Sequence, residues 1–203
     1  MRLIEAQTKL MNLKIPVLQT SDVSAYLKIS RMHASKVLGR LGEVGIMLPV
    51  ARGLWFFPDK VDPLMFPEYL TAPFPAYVSL QTALYFHGMI SQIPKAVYAV
   101  SLARTKRYQT SLATISIHHI DPSFFFGFDV VKDGNIKIAT PEKALLDTLY
   151  LAATRSLLFR VLPELQLPAS FNIKSAFAMI NKIPSLRLRT LVQKRFERVV
   201  DKT

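Results

Sequence analysis

The chain has 203 residues, 50% hydrophobic and 20% charged, with 26 Lys and Arg against 14 Asp and Glu, a formal net charge of +12 and no cysteine. That length builds one large domain or two small ones, and so much apolar content sets the chain apart from disordered sequences. Disulfides, thiolate metal sites and a cysteine nucleophile are excluded, and no apolar run approaches the ~18 residues a membrane-spanning helix needs.

The spacing of apolar residues predicts a first helix over roughly Leu3 to Leu13, ending before Pro16. The opening "MRLIEAQTKLMNLKIP" scatters its charges and lacks the continuous apolar core of a secretory signal, so a cytoplasmic protein is expected. A second helix starts at "TSD", with Thr20 or Ser21 as cap and Asp22 in the first turn, and runs through Val23 to Leu27. A turn at Ile29–Ser30 leads to "ISRMHASKVLGRLGEVG", a third helix that Ser30 caps and Gly45 ends. Its apolar stripe is Ala34, Val37, Leu38, Leu41 and Val44. Then "IMLPVARGLWFFP" reads as strands Ile46–Val50 and Leu54–Phe57 around a turn holding Ala51, Arg52 and Gly53. Three helices followed by such a hairpin read as a winged helix-turn-helix over residues 1–58.

The polar face of the third helix is the expected DNA-reading surface. Ser30, Arg31, Met32, His33, Ser35 and Lys36 lie near its N-terminal end, and Arg40 one turn further. Arg40 suits a bidentate contact to a guanine edge or a phosphate clamp. Gly39 leaves room for close approach, and Arg52 at the wing tip suits a backbone or minor-groove contact. Charge agrees: residues 1–58 hold 8 basic and 3 acidic residues, a net of +5, whereas residues 59–140 hold 7 and 6, a net of +1. Residues 141–203, with 11 and 5, return to +6. Such clustering favours a polyanionic partner.

Residues 59–76 form a proline-rich connector in which interleaved apolar residues imply packing on the protein. Residues 77–203 then read as a mixed α+β domain. A helix follows Ser79, its expected cap, and stops near Gly88; strands follow at Val97–Leu102 and Ala113–Ile120. "FFFGFDVVKDGNIKIAT" reads as a hairpin turning at Asp133–Gly134. The next helix has Thr140 as cap, Pro141 in its first position and Glu142 complementing its dipole. Further helices cover Ile173–Asn181 and Leu186–Val200. The fold class is therefore α+β, an N-terminal winged helix-turn-helix followed by a mixed domain with helices at its end.

Three stretches together resemble the AbiEi antitoxins of type IV toxin–antitoxin systems: the winged helix ending "RGLWFFP", then "YVSLQTALYFHGMISQIP", then "IKIATPEKALLDTLYL". The resemblance covers most of the chain, is most specific at "ATPEKALLD" after a hairpin, and is weak in the opening residues and beyond about Leu157. Trp55 stands where the family pattern often has tyrosine. The resemblance implies an N-terminal domain that binds inverted repeats in its own promoter and represses it. It implies a C-terminal domain that counteracts a nucleotidyltransferase-like toxin without a stable complex. It carries over no catalytic residue and no cofactor.

Other chemistry finds little support. His118 and His119 are neighbours on a predicted strand and point to opposite faces, while His33 and His87 lie in unrelated segments, so no metal site is expected. Asp129–Lys132 and Glu142–Lys143 lack the carboxylate-x-lysine spacing of a nuclease core. No glycine-rich phosphate loop or nucleophile elbow occurs. The last helix is different: Leu188, Leu191, Val192, Phe196 and Val199 make an apolar stripe, and Arg187, Arg189, Lys194, Arg195 and Arg198 make the rest strongly basic. That surface is either a solvated face or a second contact for phosphate, RNA or an acidic partner. Double-stranded DNA is the expected partner and an enzymatic role is not expected. The alternatives from other classes are a basic metal-dependent nuclease with a winged-helix targeting module, and a transcription factor whose second domain senses a small molecule.

Overall fold

The structure is a computed structural model that describes residues 2–131, 136–154, 159 and 162–201. Among them are eight α-helices and two β-sheets, a mixed α+β architecture. None of these helices is long and apolar enough to cross a membrane. The chain forms two compact units, Met1–Pro63 with Tyr108–Ala113, and Leu64–Arg107 with Thr114–Thr203.

In the first unit the order is α1 (Leu3–Asn12), β1 (Val17–Gln19), α2 (Thr20–Leu27), α3 (Arg31–Glu43), β2 (Leu48–Ala51) and β3 (Leu54–Phe56). Strand β1 has no counterpart in the sequence reading. Three residues are too few to show alternation, and the strand exists because β3 offers a partner, with Val17 opposite Phe56 and Gln19 opposite Leu54. The sheet order is β1-β3-β2. The cap of α2 also moves. Gln19 holds that position, its amide donating to Asp22 Oδ2 at 3.2 Å. Thr20, which is buried, instead donates its hydroxyl to the Gly53 carbonyl (3.2 Å) and accepts from Trp55 Nε1 (3.2 Å). Helix and strand pairing compete for this segment, and the pairing decides where the helix begins.

Helix α3 begins as expected, with Ser30 Oγ accepting the His33 amide at 3.2 Å. Past its end Gly45 takes φ +73°, the left-handed conformation that suits glycine. Ala34, Val37, Leu38 and Leu41 enter a core with Ala6, Leu10, Leu18, Val23 and Met47. Burying each of the larger side chains contributes about 1.5–3 kcal/mol. Val44 does not join them: as the C-cap it lies 59% exposed, because the helix unwinds there and the face no longer continues.

The proline-rich stretch folds into short elements. Turns of 3-10 helix at Pro58–Lys60 and Pro63–Met65 precede α4 (Phe66–Thr71), whose Phe66, Pro67 and Thr71 are buried. The rest of the chain runs β4 (Ala76–Val78), α5 (Leu80–Phe86), β5 (Val97–Ser101), β6 (Lys106–Gln109), β7 (Thr114–His119), β8 (Phe128–Val131), β9 (Ile136–Ala139), α6 (Pro141–Ala153), α7 (Ile173–Ile180) and α8 (Leu186–Val200). Six strands form one sheet in the order β6-β7-β5-β4-β9-β8. Pairing is antiparallel for β4 with β5 and β8 with β9, and parallel for β4 with β9 and β5 with β7. The polar strand β6, "KRYQ", escapes pattern reading because it is an edge strand with no apolar alternation. The turn read at Asp133–Gly134 lies outside the described residues.

Helix α6 packs against α5, α7 and α8, and every residue from Glu142 to Ala152 is buried. A helix covered on all sides belongs to the centre of a unit. Thr140 caps it, accepting the Lys143 amide at 3.3 Å.

Candidate functional site

The exposed face of α3 gathers most of the residues expected to read DNA. Ser30, Met32, His33, Lys36 and Arg40, with Leu3 of α1 and Val37, line a surface concavity of about 310 Å³. Arg31 and Ser35 are exposed on the same helix outside that lining, and Arg52 is exposed in the β2–β3 turn beside Gly53, whose φ is +77°. Met32 is 73% exposed, an apolar side chain set among cations. A Cβ added at Gly39 would meet nothing within 4 Å, so that part of the face is open. Among the described residues, Arg31, Lys36, Arg40 and Arg52 make no ion pair. Unneutralised cations beside a concavity leave their full charge to an incoming anion. The sequence pattern missed Leu3, because a contact between two helices leaves no trace in the periodicity of either.

A second polar centre lies inside the other unit. Lys143 and Asp147, one turn apart on α6, form an ion pair in which both side chains are fully buried. Tyr77 Oη donates to Asp147 Oδ2 at 2.9 Å, and Ser79 Oγ donates to the same oxygen at 2.7 Å. Ser79 therefore spends its hydroxyl on Asp147 and not on capping α5, as its position in the sequence suggests. The Lys143 ammonium sits 3.8 Å from the ring centre of Phe124 and 5.2 Å from that of Phe126. Burial pushes the Asp147 carboxyl up and the Lys143 ammonium down, opposed by their attraction for each other and, at Asp147, by the two hydroxyls. Burial also holds the Tyr77 phenol well above its ordinary range, as does the carboxylate beside it. Gly127, at φ +75°, passes so close that a Cβ would lie 3.1–3.2 Å from the Lys143 methylenes.

This cluster joins "YVS" to "TPEKALLD". It is sealed from solvent, with Ser79, Lys143 and Asp147 at 0% exposure and Tyr77 at 1%. Its chemistry is that of a fastener between β4, the 122–124 turn and α6. A lysine and an aspartate four apart in a mostly apolar helix are the signal that could reveal it in the sequence.

His118 and His119 point to opposite faces of β7. His118 is buried with Nε2 2.9 Å from Ser116 Oγ, while His119 is exposed with Nδ1 3.2 Å from the Ala103 carbonyl. Burial lowers the His118 pKa to about 4. Among the described residues no three of His, Asp and Glu converge where a metal ion could be held.

The basic residues of α8 divide into three groups. Arg189 is used internally, its Nε and Nη2 donating to the Ile183 carbonyl at 3.0 and 2.8 Å. Arg187 and Lys194 are exposed. Arg195 and Arg198 line a cleft with residues of α6 and the 162–165 segment. Compared with known proteins, the chain matches no family model, and it matches no curated protein.

Proposed function

We propose that this protein is a DNA-binding autorepressor and antitoxin of the AbiEi type, whose first unit is a winged helix-turn-helix. The single observation that carries the DNA half is the concavity on α3, where Ser30, Met32, His33, Lys36 and Arg40 converge beside unpaired cations. The order α1-β1-α2-α3-β2-β3, with its small antiparallel sheet, supports the same reading. Helix α3 enters the major groove N-terminal end first, and Arg52 at the β2–β3 turn takes the backbone. Lys36 and Arg40 are the side chains long enough, and suitably basic, to reach guanine edges. The exposed Met32 offers an apolar contact to a thymine methyl.

The antitoxin half rests on the resemblance of the second unit, whose matching stretches meet at the Tyr77–Ser79–Lys143–Asp147 cluster. In this reading the operator is double-stranded DNA with inverted repeats in the protein's own promoter. The toxin is opposed functionally and need not be held in a stable complex. The test is fluorescence anisotropy with the protein's own upstream DNA and a scrambled duplex at two salt concentrations. Preference for the upstream DNA that survives added salt is expected. Equal and steeply salt-sensitive binding to both would reduce the interaction to charge alone and overturn the proposal.

A further inference from the structure

A cleft of about 670 Å³ in the second unit is lined by Leu149 of α6, Phe159, Leu162, Glu164, and Arg195 and Arg198 of α8, among others. Its volume falls within the range of roughly 300–1,000 Å³ typical of small-molecule sites, far more than an inorganic ion fills. The lining has two characters. Leu162, Pro163 and Leu165, partly exposed, offer an apolar wall, and among the described lining residues Glu164, Arg195 and Arg198 are charged. Among the described residues, the side chains of Glu164, Arg195 and Arg198 make no ion pair or hydrogen bond. Arg189, nine residues before Arg198, shows what α8 does with an arginine that serves the fold: its Nε and Nη2 both donate to one carbonyl.

Arg195 and Arg198 are three apart, so they are neighbours on the helix surface and face the same volume. Two guanidinium groups lining one cleft match the several acceptor oxygens of a phosphate group. The apolar wall takes a planar body of low polarity. Glu164 accepts hydrogen bonds and therefore asks for donors on the ligand, such as hydroxyls or an amine, while disfavouring a purely anionic lipid. We propose that this cleft binds a nucleoside monophosphate, its phosphate held by Arg195 and Arg198, its base against Leu162 and Leu165, and its donors toward Glu164. The site belongs wholly to the second unit and does not depend on the DNA-binding reading of the first.

Isothermal titration of the full chain at constant ionic strength tests it, with AMP, adenosine, inorganic phosphate and octanoate as probes. AMP should saturate at one per chain. Adenosine lacks the phosphate, inorganic phosphate lacks the planar body and octanoate lacks the donors, so each should bind at least roughly tenfold more weakly. The Arg195→Ala/Arg198→Ala variant should lose AMP affinity by roughly tenfold or more, as loss of charge-assisted hydrogen bonds implies. The charge-matched Arg187→Ala/Lys194→Ala variant, altered outside the cleft on the same helix, should retain it. Three results would each overturn the proposal: no saturation by AMP up to ~10 mM, equal losses in both variants, or phosphate or octanoate binding as tightly as AMP.

Discussion

Replacing Lys143 with methionine keeps most of the buried stem and removes only the ammonium, so it isolates the electrostatic part of the α6 fastener. Removing one member of a buried ion pair costs about 3–5 kcal/mol, because its partner is left charged and dry. Asp147 would keep its hydrogen bonds from Tyr77 and Ser79 at 2.9 and 2.7 Å. Burial already raises its carboxyl, so uptake of a proton absorbs part of the penalty. The loss should therefore lie at the lower end, about 3 kcal/mol. Asp147→Asn is the harsher change, because it leaves the ammonium with only aromatic faces around it, worth about 2 kcal/mol when desolvated. In the double variant Lys143→Met/Asp147→Asn neither charge remains, and its cost should fall short of the sum of the single costs by about 2 kcal/mol or more.

Urea unfolding followed by far-UV circular dichroism measures these losses. With a denaturant slope of about 1–3 kcal/mol per molar, Lys143→Met should lower the midpoint of the second unit by about 1–3 M. The single tryptophan, Trp55, lies in the first unit, so its fluorescence follows that unit separately and should barely move. Single-variant costs that add to within about 0.5 kcal/mol would refute the coupling. So would a midpoint shift below about 0.3 M for Lys143→Met.

In the first unit, Thr20→Val removes the hydroxyl shared by Gly53 and Trp55, and should destabilise that unit by about 1–2 kcal/mol in urea melts read by Trp55 fluorescence. His118 is kept neutral by burial down to about pH 4, whereas the unfolded chain takes up its proton near 6.5. Its contribution is thus full above pH 6.5, declines as pH falls toward 4, and amounts to about 3 kcal/mol. His118→Gln, which retains a partner for Ser116, should flatten that part of the stability-versus-pH curve; an unchanged slope would show that other groups cause it. For DNA, Arg40→Ala should reduce discrimination between upstream and scrambled duplexes, while Arg52→Ala should weaken binding to both evenly. Identical loss patterns for the two variants would abolish that division of labour.

Much of the architecture was legible along the chain because it rests on short-range physics. The apolar stripe of α3 and its Ser30 cap, the Thr140–Pro141–Glu142 start of α6, and the opposite facing of His118 and His119 all follow from periodicity and capping within a few residues. The convergence of Met32, His33, Lys36 and Arg40 belongs here too, since one helix turn separates neighbours on one face. Tertiary pairing decided the rest. Strand β1 exists only because β3 lies beside it, and that pairing took the cap of α2 from Thr20 and gave it to Gln19. Asp147 drew the Ser79 hydroxyl away from α5 across 68 positions of sequence. The basic residues of α8 look alike in the sequence, yet one is spent on a carbonyl and two face a cleft. A side chain's residue type and its position along an element are local properties. Which partner desolvates or neutralises it is settled by segments that only the fold brings near.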